Sequence, residues 1–136
     1  MIRYTETIEG ITPDMLEGFF EGWPNPPSPE MHLRLLRQSD AVVLAVDGAS
    51  GEVVGFITAI TDGVLAAYIP LLEVRPAYRG RGIGTALVRR MLDRLDDLYM
   101  VDLLCDPELQ PFYAALGMRP ATGMMLRHYE HQSGKT

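Results

Sequence analysis

Hydrophobic positions in the first forty residues recur at helical spacing, and prolines interrupt them. Met15, Leu16, Phe19 and Phe20 follow Thr12-Pro13-Asp14, a capping residue with proline at the first helical position, and predict a short helix. Gly22 to Pro29 contains four prolines, which exclude continuous helix or a central strand and leave a rigid connection too short to link domains. Ser28-Pro29-Glu30 opens a second helix, expected to bury Met31, Leu35 and Leu36.

The pattern then turns to strands. Ala41 to Val46, Val53 to Thr61 and Val64 to Val74 are apolar runs joined through Asp47-Gly48 and Asp62-Gly63, a strong hairpin signal. They predict an antiparallel meander, with Arg3 to Ile8 as an edge strand. Pro70 cannot donate to a ladder and predicts a bulge in the third strand. From Ile83 the period changes again. Ile83, Leu87, Val88, Met91, Leu92 and Leu95 share one helix face, and Arg89, Arg90, Asp93, Arg94 and Asp96 the other. Tyr99 to Leu104 reads as a buried strand. A helix near Pro111 carries Phe112, Tyr113 and Leu116 up to Gly117, and Gly123 to Tyr129 is a final strand candidate. The order predicts an α+β fold with one parallel crossover around the long helix.

Composition narrows the functional classes. The chain has 136 residues, 47% of them hydrophobic and 22% charged, which suits a single domain over 1–136 with a real core. No apolar run approaches a membrane span, and the first residues lack the apolar stretch of a signal peptide. Cys105 is the sole cysteine, consistent with a reducing compartment. The net charge of −6 argues against general nucleic-acid binding and favours cationic partners such as amines.

The chemistry concentrates where the third meander strand meets the long helix. Arg79-Gly80-Arg81-Gly82-Ile83-Gly84 places three glycines in a turn entering a helix, so the backbone can adopt positive φ and approach a ligand. The unpaired amides and dipole of a helix start attract a diphosphate, and Arg79 and Arg81 add charge there. The turn is not a Walker loop, because three residues separate Gly80 from Gly84 and Thr85 follows. Nor is it the dinucleotide fingerprint, since Thr85 stands where the last glycine belongs and an antiparallel meander precedes it.

The run from Leu72 to Leu87 closely resembles the signature of the GCN5-related N-acetyltransferases, whose R/Q-x-x-G-x-G/A core is met by Arg79, Gly82 and Gly84. Phe112-Tyr113-Ala114-Ala115-Leu116-Gly117 is similar to the family's second hallmark, an aromatic pair before a helix-ending glycine. Thr61-Asp62-Gly63-Val64 and Ala66-Ala67 also resemble the branch with plastid and cyanobacterial arylalkylamine acetylases.

The resemblance implies a mixed, mostly antiparallel sheet with a V-shaped splay and helices on both faces. It implies acetyl-CoA as co-substrate, with its pantetheine arm against the backbone of Leu72, Glu73 and Val74. The pyrophosphate would lie on Arg79, Gly80, Arg81, Gly82, Ile83, Gly84 and Thr85. A primary amine would attack the thioester directly, and Tyr113, also against the cofactor, would be the acid for the leaving thiolate. The base is open: Glu73 is one candidate, and a water chain to Asp102 or Asp106 is another. Phe20, Trp23 and Tyr68 are candidates for lining the acceptor pocket. The implied setting is cytoplasmic, and homodimers are common in the family. A coenzyme-A-binding sensor without turnover is the rival reading. Cys105 reads as a buried small hydrophobe, and His128 and His131 as residues on opposite faces of a strand, so no metal site is expected.

Overall fold

The computed structural model describes residues 1–134. Five strands, β1 (Ile2–Thr5), β2 (Ala41–Asp47), β3 (Val53–Thr61), β4 (Ala66–Val74) and β5 (Met100–Asp102), lie in one sheet in sequence order. The first four pair antiparallel and β5 joins β4 in parallel. The helices are α1 (Pro29–Gln38), α2 (Ile83–Arg94) and α3 (Gln110–Ala114).

Alternating side chains divide the core between the two faces of the sheet. Val43, Ala45, Val54 and Ile57 meet Ile83, Leu87, Val88 and Met91 of α2. Val42, Leu44, Val46 and Phe56 meet Leu16, Phe20, Leu33 and Leu36. Helices cover both faces, so β2 and β3 are apolar almost throughout rather than alternating. Gly55 sets the height of α2 above the sheet: a Cβ there would stand 3.1 Å from Leu87 Cδ1 and 3.3 Å from Ile83 Cγ2.

The mixed fold, the meander and the bulge match expectation, while several local elements differ. The first helix is only a 3-10 turn, Pro13–Leu16. The chain breaks away through Gly18 at φ +88° and Phe20 at φ +63°, because distant acceptors described below hold the amides of Phe20 and Glu21. In α1 the buried residues are His32, Leu33 and Leu36, while Met31 and Leu35 are half-buried. The face is rotated from the predicted one because the His32 ring packs like a hydrocarbon among Phe19, Phe20 and Phe56. β1 stops at Thr5, short of Ile8. β4 begins at Ala66 rather than Val64, because Asp62 Oδ1 accepts from the amides of Val64, Leu65 and Ala66 at 2.8, 2.9 and 3.2 Å.

The C-terminal third departs most. β5 is three residues long and lies at the open edge of the sheet, so Tyr99, Met100 and Leu104 are exposed rather than buried. Gly123 to Tyr129 contains no strand; its residues are exposed and Tyr129–His131 forms a 3-10 turn. His128 and His131 therefore do not take opposite strand faces; their ring centroids lie 6.4 Å apart. Among the described residues no group of three or more His, Cys, Asp or Glu could hold a metal ion. Also among them, no helix is long and apolar enough to cross a membrane.

Candidate active site

Pro70 begins the construction of the site. Thr58 faces Leu71 and Ile60 faces Tyr68, so Ile69 and Pro70 together oppose the single residue Ala59. This bulge lets both Ile69 and Leu72 join the α2 side of the sheet, where strict alternation would separate them. The β4–β5 ladder holds only three pairs, Ala66↔Met100, Ala67↔Val101 and Tyr68↔Asp102. Beyond it the chains part. A cleft of about 480 Å³ opens between Ile69–Glu73 on one wall and Leu103–Asp106 on the other.

At one end of this cleft Arg79 leads into the glycine turn. Gly80 and Gly82 have φ of +78° and +81°, and a Cβ at either would meet nothing within 4 Å. Both thus need the left-handed region and leave open space where side chains would stand. Gly82 caps α2 with no side-chain hydrogen bond. The first helical amide bond runs from Ala86 to the Gly82 carbonyl at 3.1 Å, so the amides of Ile83, Gly84 and Thr85 precede the ladder. Gly84 serves packing instead, its ideal Cβ being 3.8 Å from Phe112 Cζ, which brings α3 against the start of α2. This geometry fits the diphosphate of an acyl-coenzyme A: bare backbone, free amides, the positive helix end and two nearby guanidinium groups.

The arginines differ in their ties. Arg79 donates from Nε to the Val74 carbonyl at 3.0 Å and pairs with Glu21 at 3.1 Å, which joins the turn to the rim of the cleft. Arg81 rests over the Tyr78 ring, 5.0 Å from its centroid.

Tyr113 projects from α3 into the cleft beside Cys105. Burial, and secondarily the electrostatic effect of neighbouring Cys105, push its phenol above the ordinary value, so it keeps its proton. Cys105 itself is partly exposed on the cleft wall rather than buried, because β5 ends before it. Glu73 is committed to the backbone: its Oε1 accepts from the Phe20 amide at 2.8 Å and its Oε2 from the Glu21 amide at 3.3 Å.

The cleft thus gathers Leu72, Glu73, Arg79, Tyr113 and Trp23. Val74 lies beside it through its carbonyl bond to Arg79. It does not gather Phe20, which is 4% exposed in the core, or Tyr68, which faces a separate groove of about 1130 Å³ beyond β5. That larger groove lies away from the glycine turn, so the chemistry goes with the smaller cleft. Glu21 was not singled out by its sequence context. Nothing local marks it, since its partner lies 58 positions further along the chain. Of the two acids considered for a water chain, Asp106 lines the cleft and Asp102 the groove.

Comparison with known proteins agrees with this geometry. The chain is 51% identical to a protein of Deinococcus radiodurans R1 described as a candidate acetyltransferase, with a TM-score of 0.96 over 99% of this chain and 94% of that one. A GNAT-family acetyltransferase of Streptococcus pneumoniae TIGR4 superposes with a TM-score of 0.75 at 28% identity, over 94% of this chain and 98% of that one. Plastid members stand among the relatives. GCN5-related N-acetyltransferase 1, chloroplastic, of Arabidopsis thaliana is 28% identical over 82% of this chain and 58% of its own length. GCN5-related N-acetyltransferase 3, chloroplastic, is 37% identical over 51% and 30%. The chain spans about a third to just under three fifths of these two curated relatives. Residues 8–118 match the profile of the Acetyltransferase (GNAT) family, and with the glycine-capped helix beside a splayed pair of strands they place this chain in the GNAT family of acetyltransferases.

Proposed function

We propose that this chain, acting as one domain over 1–136, transfers an acetyl group from acetyl-CoA to a primary amine without a covalent enzyme intermediate. The observation that carries the reading is the free-amide start of α2, led into by Arg79, which lines the same cleft as Tyr113. The bound acyl-coenzyme A supplies an activated thioester. The residues around it do the rest. The amides of Ile83, Gly84 and Thr85 hold the diphosphate, and Leu72 to Val74 offer backbone along the splayed edge. Tyr113 keeps its phenolic proton near neutrality and holds it ready for the departing sulfur.

Glu73 positions the acceptor side. With both oxygens on the amides of Phe20 and Glu21, it shapes the rim bearing Trp23. This leaves Asp106, through water, as the better-placed proton acceptor for the amine. The net charge of −6 supports a cationic small molecule or amine-bearing side chain over nucleic acid, and the lone cysteine supports a cytoplasmic setting. The committed Glu73 also favours a second reading, a sensor that binds acyl-coenzyme A without turnover. Thiol release from acetyl-CoA across an amine panel separates the two. Release with at least one amine is expected, and saturable acetyl-CoA binding with no release for any acceptor would leave the sensor.

A further inference from the structure

Glu21 stands where the acyl-donor side of the cleft meets its rim. It lines the cleft together with Trp23, Arg79, Asp106 and Tyr113, and its Oε1 lies 3.1 Å from Arg79 Nη1. Both ends of the residue are held from the donor side. Its amide donates to Glu73 Oε2 at 3.3 Å, and the Arg79 paired with its carboxylate donates from Nε to the Val74 carbonyl at 3.0 Å. Phe20, just before it, stands at φ +63°, a backbone that a bulky residue keeps only where its surroundings hold it. The position of Glu21 is therefore fixed by the site rather than by its own loop.

Two groups have a claim on the Arg79 guanidinium. Glu21 holds it in this structure, while a diphosphate on the glycine turn would draw on the same charge. The side chains of Glu21 and Arg79 are 56% and 50% exposed, so water screens their pair and the pair is weak. A diphosphate also takes the amides at the start of α2, and with that second anchor it outcompetes a single carboxylate. The displaced carboxylate stays on the rim, because Glu73 still holds the Glu21 amide. Among the described residues Arg79 is the only base lining the cleft, so no other wall residue neutralises the freed charge. A positive group on the acceptor is the partner that remains. The indole of Trp23, 37% exposed and lining the same cleft, offers such a group a ring face.

We propose that Glu21 selects acceptors carrying a second positive charge, diamines in the simplest case, once the diphosphate of acyl-coenzyme A has drawn Arg79 away from it. One amino group of the acceptor, neutral, attacks the thioester; the other, protonated, pairs with the Glu21 carboxylate. The same residue thus competes with the donor for Arg79 and recognises the acceptor after losing that competition. The inference rests on the acetyl-transfer reading and adds to it the class of acceptor.

Glu21→Gln removes the charge and keeps the size of the side chain. Calorimetry should give this variant a Kd for acetyl-CoA about threefold lower than that of the wild type, a gain that shrinks in high salt. Steady-state kinetics then compares α,ω-diaminoalkanes with the n-alkylamines of the same chain length. In kcat/KM the wild type should prefer the diamine of best length by about fivefold, more than its two equivalent amino groups account for. Glu21→Gln should lose that preference through KM rather than kcat. A variant that binds acetyl-CoA no more tightly than the wild type would overturn the proposal. So would a diamine preference that is absent from the wild type or survives the substitution. A wild-type chain that binds no acetyl-CoA at all would be a different result, bringing down the transfer reading and this proposal with it.

Discussion

At the residue scale, two side chains stand out because their surroundings decide their protonation. Tyr113 stays neutral through burial, and its role is tested by removing one oxygen. Tyr113→Phe should lower turnover by about 10²-fold while leaving acetyl-CoA affinity unchanged, read from steady-state kinetics and calorimetry. Equal turnover would remove it from the reaction. His32 is the opposite case, a base kept neutral. It is 1% exposed, neither ring nitrogen has a hydrogen-bond partner, and burial lowers its pKa from 6.5 to about 4. The unfolded chain takes up a proton on this ring below pH 6.5, whereas the folded chain does so only near pH 4. The folded state thus loses stability as pH falls through that window. At pH 5 the loss relative to pH 7 should be about 2 kcal/mol. Urea denaturation should show this acid loss shrinking by about that amount in His32→Leu; an unchanged pH dependence would mean that the ring is hydrated or paired in solution.

At the element scale, two junctions position the site. Gly82 starts α2 in the left-handed region with open space beyond it. Gly82→Trp should fold, at about 1–2 kcal/mol of backbone strain, yet lose detectable acetyl-CoA binding by filling the phosphate cradle. Retained affinity would refute the cradle. Glu73 joins β4 to the segment carrying Phe20, Glu21 and Trp23 across more than fifty positions of sequence. Glu73→Ala should cost about 1–3 kcal/mol in thermal or urea unfolding, because it leaves two amides without their acceptor. The KM for the amine should rise more than that for acetyl-CoA. A large fall in kcat with KM unchanged would instead make Glu73 the base.

At the scale of the whole molecule, the site is a gap between two strands roofed by elements distant in sequence, so filling it should stabilise the entire fold. Acetyl-CoA at about 100 times its Kd should add about 2.7 kcal/mol, seen as a rise in melting temperature that NAD and ATP do not reproduce. An equal response to those nucleotides would point to a generic nucleotide site. How much of this was legible beforehand depends on the range of the forces involved. The meander, the long helix, the bulge at Pro70 and the glycine turn are written in local signals: Asp-Gly pairs, period changes, a missing amide donor and positive-φ residues. The second helix's buried face was misplaced because only tertiary packing makes His32 an apolar residue. The hold of Glu73 on the amides of Phe20 and Glu21 was not legible because these partners lie more than fifty positions away. The tail looked like a strand because its composition is strand-like, yet it forms no strand and its side chains face water. Short-range stereochemistry and hydrophobic period, then, set out the elements and the anion-binding turn. The cleft, the commitment of Glu73 and the exposure of β5 were decided in three dimensions, since each depends on which distant groups satisfy, or leave unsatisfied, a backbone hydrogen bond.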